Sequence, residues 1–114
     1  MRLASLVVIL VLLFCGTSFA AWYQGGTLGS SKIADWKKAS QANKIASAAA
    51  WANNSPYIAA RLDRWKRGEP YMQHTRRLVE CINYEIRVSN QYDAVPTSKF
   101  ATACMQSFGW YKRR

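Results

Sequence analysis

"PYMQHTRRLVECINYEIRVS", residues 70–89, decides the fold. Met72, Thr75, Val79, Ile82 and Ile86 recur in alternating steps of three and four, which lines them along one side of a helix. Leu78 broadens the stripe and Cys81 sits on its flank. Pro70 suits the first turn, where its missing amide hydrogen has no partner to lose. The stretch therefore predicts an amphipathic helix from Pro70 to Ser89. One apolar side must be buried against something, and the flanking sequence supplies more helix.

Upstream, Ser55 and Pro56 start a second helix with Ile58, Leu62 and Trp65 on one face, and Gly68 is placed to end it. Before it, Lys32 to about Ala52 is rich in alanine and lysine, carries Ile33, Trp36, Ile45 and Trp51, and favours helix. Ser30 or Ser31 can cap it, and "NNSP" at 53–56 breaks it. Residues 21–31, with three glycines, predict an extended lead-in. Downstream, "NQYDAVP" at 90–96 is a loop. Thr97 or Ser98 caps a last helix carrying Phe100, Ala101, Cys104 and Phe108. Gly109 closes that helix, Trp110 folds back on it, and 111–114 form a basic tail. There is no repeat and no strand-pairing signal. The expectation is one all-α domain over 32–110, a small bundle of about four helices.

The start of the chain points to export. Arg2 precedes an apolar run from Leu3 to Phe14, too short to span a bilayer, and Ser18-Phe19-Ala20 offers small residues to a signal peptidase. Residues 1–20 therefore read as a cleaved signal peptide, leaving a periplasmic or secreted protein. Lipid anchoring through Cys15 is disfavoured because the bulky Phe14 precedes it. Cleavage removes Arg2 alone from the charge count, so the formal +10 becomes +9. It also leaves two cysteines, Cys81 and Cys104, which in an oxidising compartment predict one disulfide.

No catalytic constellation stands out. His74 is the single histidine and lies off the stripe as drawn above. The six acidic residues show no paired spacing, no metal-ligand pattern is present, and "GGTLG" lacks the lysine and strand of a phosphate loop. The sequence therefore suggests neither an enzyme nor a cofactor. Basic residues are more informative. Arg61, Arg64 and Arg67 fall three apart on the second helix, and Arg76 and Arg77 follow on the next. With Lys37, Lys38 and the tail they predict a cationic binding face, against the simpler reading of a solubilising surface. All five tryptophans and six tyrosines lie beyond residue 20, and Trp22 and Tyr23 are the expected exposed aromatic contacts. Nucleic acid is a poor fit, because no recognition motif accompanies the charge.

"GGTLGSSKIADWKKASQANKIASAA" (25–49) and "ATACMQSFGW" (101–110) resemble a group of small exported bacterial helical proteins of unassigned function. The resemblance implies a compartment and a helical fold. A looser likeness is to periplasmic acid-stress chaperones, which bridge an early cysteine to a late one; this chain has no cysteine near Trp36. The expected function is binding by protein–protein contact in the cell envelope, as an accessory, inhibitor or immunity-type protein whose partner offers an acidic face. The alternatives are a cationic binder of anionic envelope lipids or lipopolysaccharide, and a periplasmic stress chaperone.

Overall fold

A computed structural model describes residues 21–87 and 91–112. The expected signal peptide with Cys15, the expected helix end at Ser89, and Arg113 and Arg114 of the tail lie outside the described residues. Six helices follow in order: α1 (Ile33–Lys38), α2 (Gln41–Asn53), α3 (Pro56–Ala59), α4 (Leu62–Trp65), α5 (Glu69–Ile86) and α6 (Thr97–Ser107). The all-α expectation holds. The higher helix count comes from two breaks that the sequence left unmarked.

The first break splits the alanine-rich segment at Ala39 and Ser40. Ala39 turns extended, and the Ser40 hydroxyl accepts the Asn43 amide, so Ser40 caps α2 in place of continuing α1. The second break divides Pro56–Arg67. Ser55 caps α3 as expected, accepting from the Ile58 amide, but the α-helical run is interrupted at Ala60 and Arg61, where the Arg61 amide bonds three residues back to the Ile58 carbonyl. The reversal after α4 falls on Lys66, at φ +57°, and not on Gly68, which becomes the N-cap residue of α5.

Helix α5 is the spine. It buries Tyr71, Thr75, Leu78, Val79, Ile82 and Ile86, with Met72 only half-buried. The stripe is thus shifted one residue toward Tyr71 at its start. Helix α2 lies on α5 through Ala48, Ala49 and Ala52, whose small side chains let the backbones approach; α6 packs on both. Trp36 and Trp110 fill the space between helices and are fully buried. Cys81 and Cys104 are joined, with Cα atoms 6.2 Å apart, tying α5 to α6 as the sequence predicted.

Helix α6 ends in a complete left-handed closure. Gly109 adopts φ +80°, its amide bonds to the Gln106 carbonyl, and the Trp110 amide bonds to the Met105 carbonyl. This places Trp110 back over the core, as expected. The loop before α6 also supports α1. The Ile33 and Ala34 amides, which have no partner within α1, donate to the Val95 and Asp93 carbonyls at 2.9 and 3.1 Å.

The lead-in is fastened rather than loose. The Leu28 amide donates to Ser47 Oγ at 3.0 Å, and Thr27 exchanges two hydrogen bonds with the Asn43 side chain. Gly26 lies so close to α2 that a Cβ there would collide with the Ser47 amide and hydroxyl. Leu28 is buried.

Candidate functional site

The arginines expected on one helical side are dispersed by the break at Arg61. Arg61 precedes α4, Arg64 lies within it, and Arg67 lies beyond its end, past the Lys66 reversal. Arg64 and Arg76 are exposed, and their side chains touch no ring among the described residues. Arg67 turns toward the N-terminal segment, its guanidinium carbon 4.8 Å from the centre of the Tyr23 ring and 5.4 Å from that of Tyr71. The other two converge on a second aromatic layer. None of the five is in an ion pair among the described residues; the pair Lys37–Asp93, at 2.7 Å, lies between α1 and the loop before α6.

Trp22 and Tyr23 also correct the sequence expectation. Both are half-buried, because Tyr71 offers them a ring surface: Trp22 packs on Tyr71 at 4.8 Å and Tyr23 at 6.2 Å. The Trp22 indole donates to the Arg67 carbonyl at 3.2 Å. These two rings are therefore part of the fold's edge. They are not free contacts.

Tyr71 is the keystone of this edge. Its hydroxyl donates to Asn53 Oδ1 at 2.8 Å, with the Ala49 carbonyl at 3.2 Å as the alternative acceptor. Burial pushes its pKa above 10, and the nearby Arg67 charge offsets part of that rise. A raised phenol pKa favours the folded state fully below about pH 10, and that contribution disappears as pH climbs through the folded value. Tyr71→Phe should cost about 1 kcal/mol at pH 8, from the lost hydrogen bond. The gap between the two proteins in urea midpoint should narrow above about pH 10, because the parent has a phenol at position 71 to ionise and the variant does not. A constant gap up to pH 11 would show that the phenol is not held neutral by its surroundings.

The second aromatic layer is assembled from three distant segments. Helices α3 and α4 supply Tyr57 and Trp65, α5 supplies His74, and the turn after α6 supplies Phe108 and Trp110. Tyr57 stacks nearly parallel on Trp110, 8° between planes at 6.2 Å, and its amide donates to the Trp110 carbonyl at 2.9 Å. His74 sits 4.7 Å from Trp65 and within 6 Å of Tyr57 and Trp110, while its Nδ1 lies 2.7 Å from the Pro70 carbonyl. A carbonyl can only accept, so Nδ1 is the donor in this contact. His74 thus belongs to the aromatic layer, where the sequence placed it off the stripe. Starting the stripe at Tyr71 would have revealed it, because 71, 74, 75 and 78 share one side of a helix.

Two arginines cover this layer. The Arg61 guanidinium carbon lies 3.6 Å from the Tyr57 ring centre, and Arg77 lies 3.9 Å from that of Phe108. Beside them runs an open groove of about 700 Å³ between Pro56–Arg61 and Phe108–Lys112. It combines aromatic walls with two cations, Arg61 and Lys112. Among the described residues no three histidine, cysteine or acidic side chains converge to hold a metal. No helix among them is long and apolar enough to cross a membrane.

No family model, curated protein or solved structure matches the chain. What the surface can do is set by its chemistry. Fixed guanidinium groups beside half-buried rings can take up an anion and shield part of it from water.

Proposed function

We propose that this protein is a small basic binding protein of the cell envelope, acting by contact with an acidic face of another envelope or secreted protein. It works without catalysis, as an accessory, inhibitor or immunity-type component. One observation carries the reading: Arg61 and Arg77 are held over aromatic rings at the surface, with no carboxylate paired to either among the described residues. Arginine flanked by aromatics is the combination enriched where protein interfaces concentrate their binding energy. The Cys81–Cys104 bond is consistent with an oxidising, exported setting.

A lipid-surface reading draws on the same charge but finds less support. The exposed large apolar side chains among the described residues are Tyr84 and Tyr111, at 60% and 38% exposure. The rings of the arginine-covered layer are half-buried or buried, which leaves little to insert among acyl chains. The test is reconstitution. A partner recovered from the native envelope and then purified should form a complex of fixed stoichiometry that survives physiological salt, and Arg61→Gln with Arg77→Gln should abolish it. Co-sedimentation with phosphatidylglycerol vesicles under the same conditions, with no such complex, would overturn the proposal in favour of the lipid reading.

A further inference from the structure

We infer that the groove between Pro56–Arg61 and Phe108–Lys112 recognises a carboxylate on an acidic segment of the partner, with Arg61 as the anchor. The inference rests on the reading above and narrows it from a charged face to one position.

Among the arginines of the described residues, Arg61 differs in combining a ring contact with a side-chain hydrogen bond. Its Nη1 donates to the Tyr57 carbonyl at 2.9 Å while its guanidinium carbon lies 3.6 Å from the centre of the Tyr57 ring. That ring is itself fixed against the buried Trp110 and through its own amide. The guanidinium is therefore positioned by the core before any partner arrives. One of its five N–H donors is used internally, and the free edge can grip both oxygens of a carboxylate. Because the side chain is already ordered, binding there loses less conformational freedom than at an unrestrained arginine. Arg64 and Arg76 bear the same charge and have no such restraint.

The groove also has the right charge balance. Arg61 and Lys112 line it, and no acidic residue does. Two other depressions each contain a carboxylate: Asp63 beside Lys66 and Arg67 in one, and Glu85 with no cation in the other. Pro56 and Phe108 give the walls an apolar character. The ligand that fits is an aspartate or glutamate side chain in an extended segment, its neighbours resting on those walls.

The test is an NMR titration of the ¹⁵N-labelled protein with a blocked hexaglutamate peptide, in about 0.15 M salt to suppress diffuse attraction. Shift changes are expected at residues 57–61 and 108–112. Arg61→Gln and Arg61→Lys should each weaken binding by about tenfold, because lysine keeps the charge but cannot grip two oxygens. Arg64→Gln should change it by less than about twofold, an exposed charge contributing little. If Arg61→Lys binds like the parent and Arg61→Gln and Arg64→Gln weaken it equally, the groove assignment fails while the acidic-partner reading stands. If hexaglutamate does not bind at all and phosphatidylglycerol vesicles do, both fall. Circular dichroism of each variant, unchanged from the parent, establishes that lost binding is not lost folding.

Discussion

Trp36→Ala should lower the unfolding free energy by about 3–5 kcal/mol, the range for truncating a buried large aromatic. Trp36 is fully buried, lies 5.8 Å from Trp51 in a tilted ring contact, and joins α1 to α5 by donating from its indole to Asn83 Oδ1 at 2.8 Å. Truncation opens a cavity at the centre of the bundle and removes the partner of Asn83 together. Total stabilities of small domains are about 5–15 kcal/mol, so the variant should be close to unfolded at growth temperature. Each kcal/mol should appear as about 4–8 °C in Tm for a domain of this size. Trp36→Phe separates the two contributions, because it keeps most of the apolar volume and loses only the indole hydrogen bond. It should cost about 1–2 kcal/mol, and thermal or urea unfolding followed by far-UV circular dichroism measures both. A loss below 1 kcal/mol for the alanine variant would mean that α1 is peripheral to the cooperative unit.

Breaking the disulfide comes next in size. The cysteines are 23 positions apart, and closing a loop of that length stabilises a protein by roughly 3 kcal/mol, chiefly by restricting the unfolded chain. Alanine is the better replacement because Cys104 is buried, at 3% exposure, and serine would place an unpaired hydroxyl in the core. Cys81→Ala with Cys104→Ala should therefore lower the urea midpoint and raise the slope of the transition, as the released chain expands. The parent under reducing conditions should follow the same curve. If both curves overlay the oxidised protein, packing of α6 on α5 holds the pair and the bond is dispensable.

The parts of this fold that were legible in the sequence are those where local chemistry and tertiary demand agree. The apolar stripe of α5, the Ser55–Pro56 start and the Gly109–Trp110 closure each satisfy a local rule that the bundle also requires. Cysteine count and the compartment expected from the first twenty residues were enough to pair Cys81 with Cys104. The failures occur where a residue had two acceptable roles. Ser40 is tolerable inside a helix and better as a cap, and nothing nearby in the sequence decided between them. Lys66 takes the left-handed turn that Gly68 was better suited to provide, so the second helix ended early. The site was less legible than the fold. Its arginines were found by composition, but their grouping depends on Tyr57, His74, Phe108 and Trp110 meeting from three segments, which no local spacing encodes.

The first turn of α1 is completed by carbonyls that lie about sixty residues further along, just ahead of α6. A chain emerging from the ribosome therefore makes residues 33–38 long before it makes what holds their leading end. Until then the tryptophan of that helix has no settled place, and the early part of the polypeptide offers an apolar surface to whatever accompanies it. Contacts so distant in sequence also slow the final closure relative to a bundle of simple hairpins. The dependence runs in both directions. A protease that clipped the loop at 91–96 would loosen the leading end of α1, while the disulfide would still hold α6 on α5.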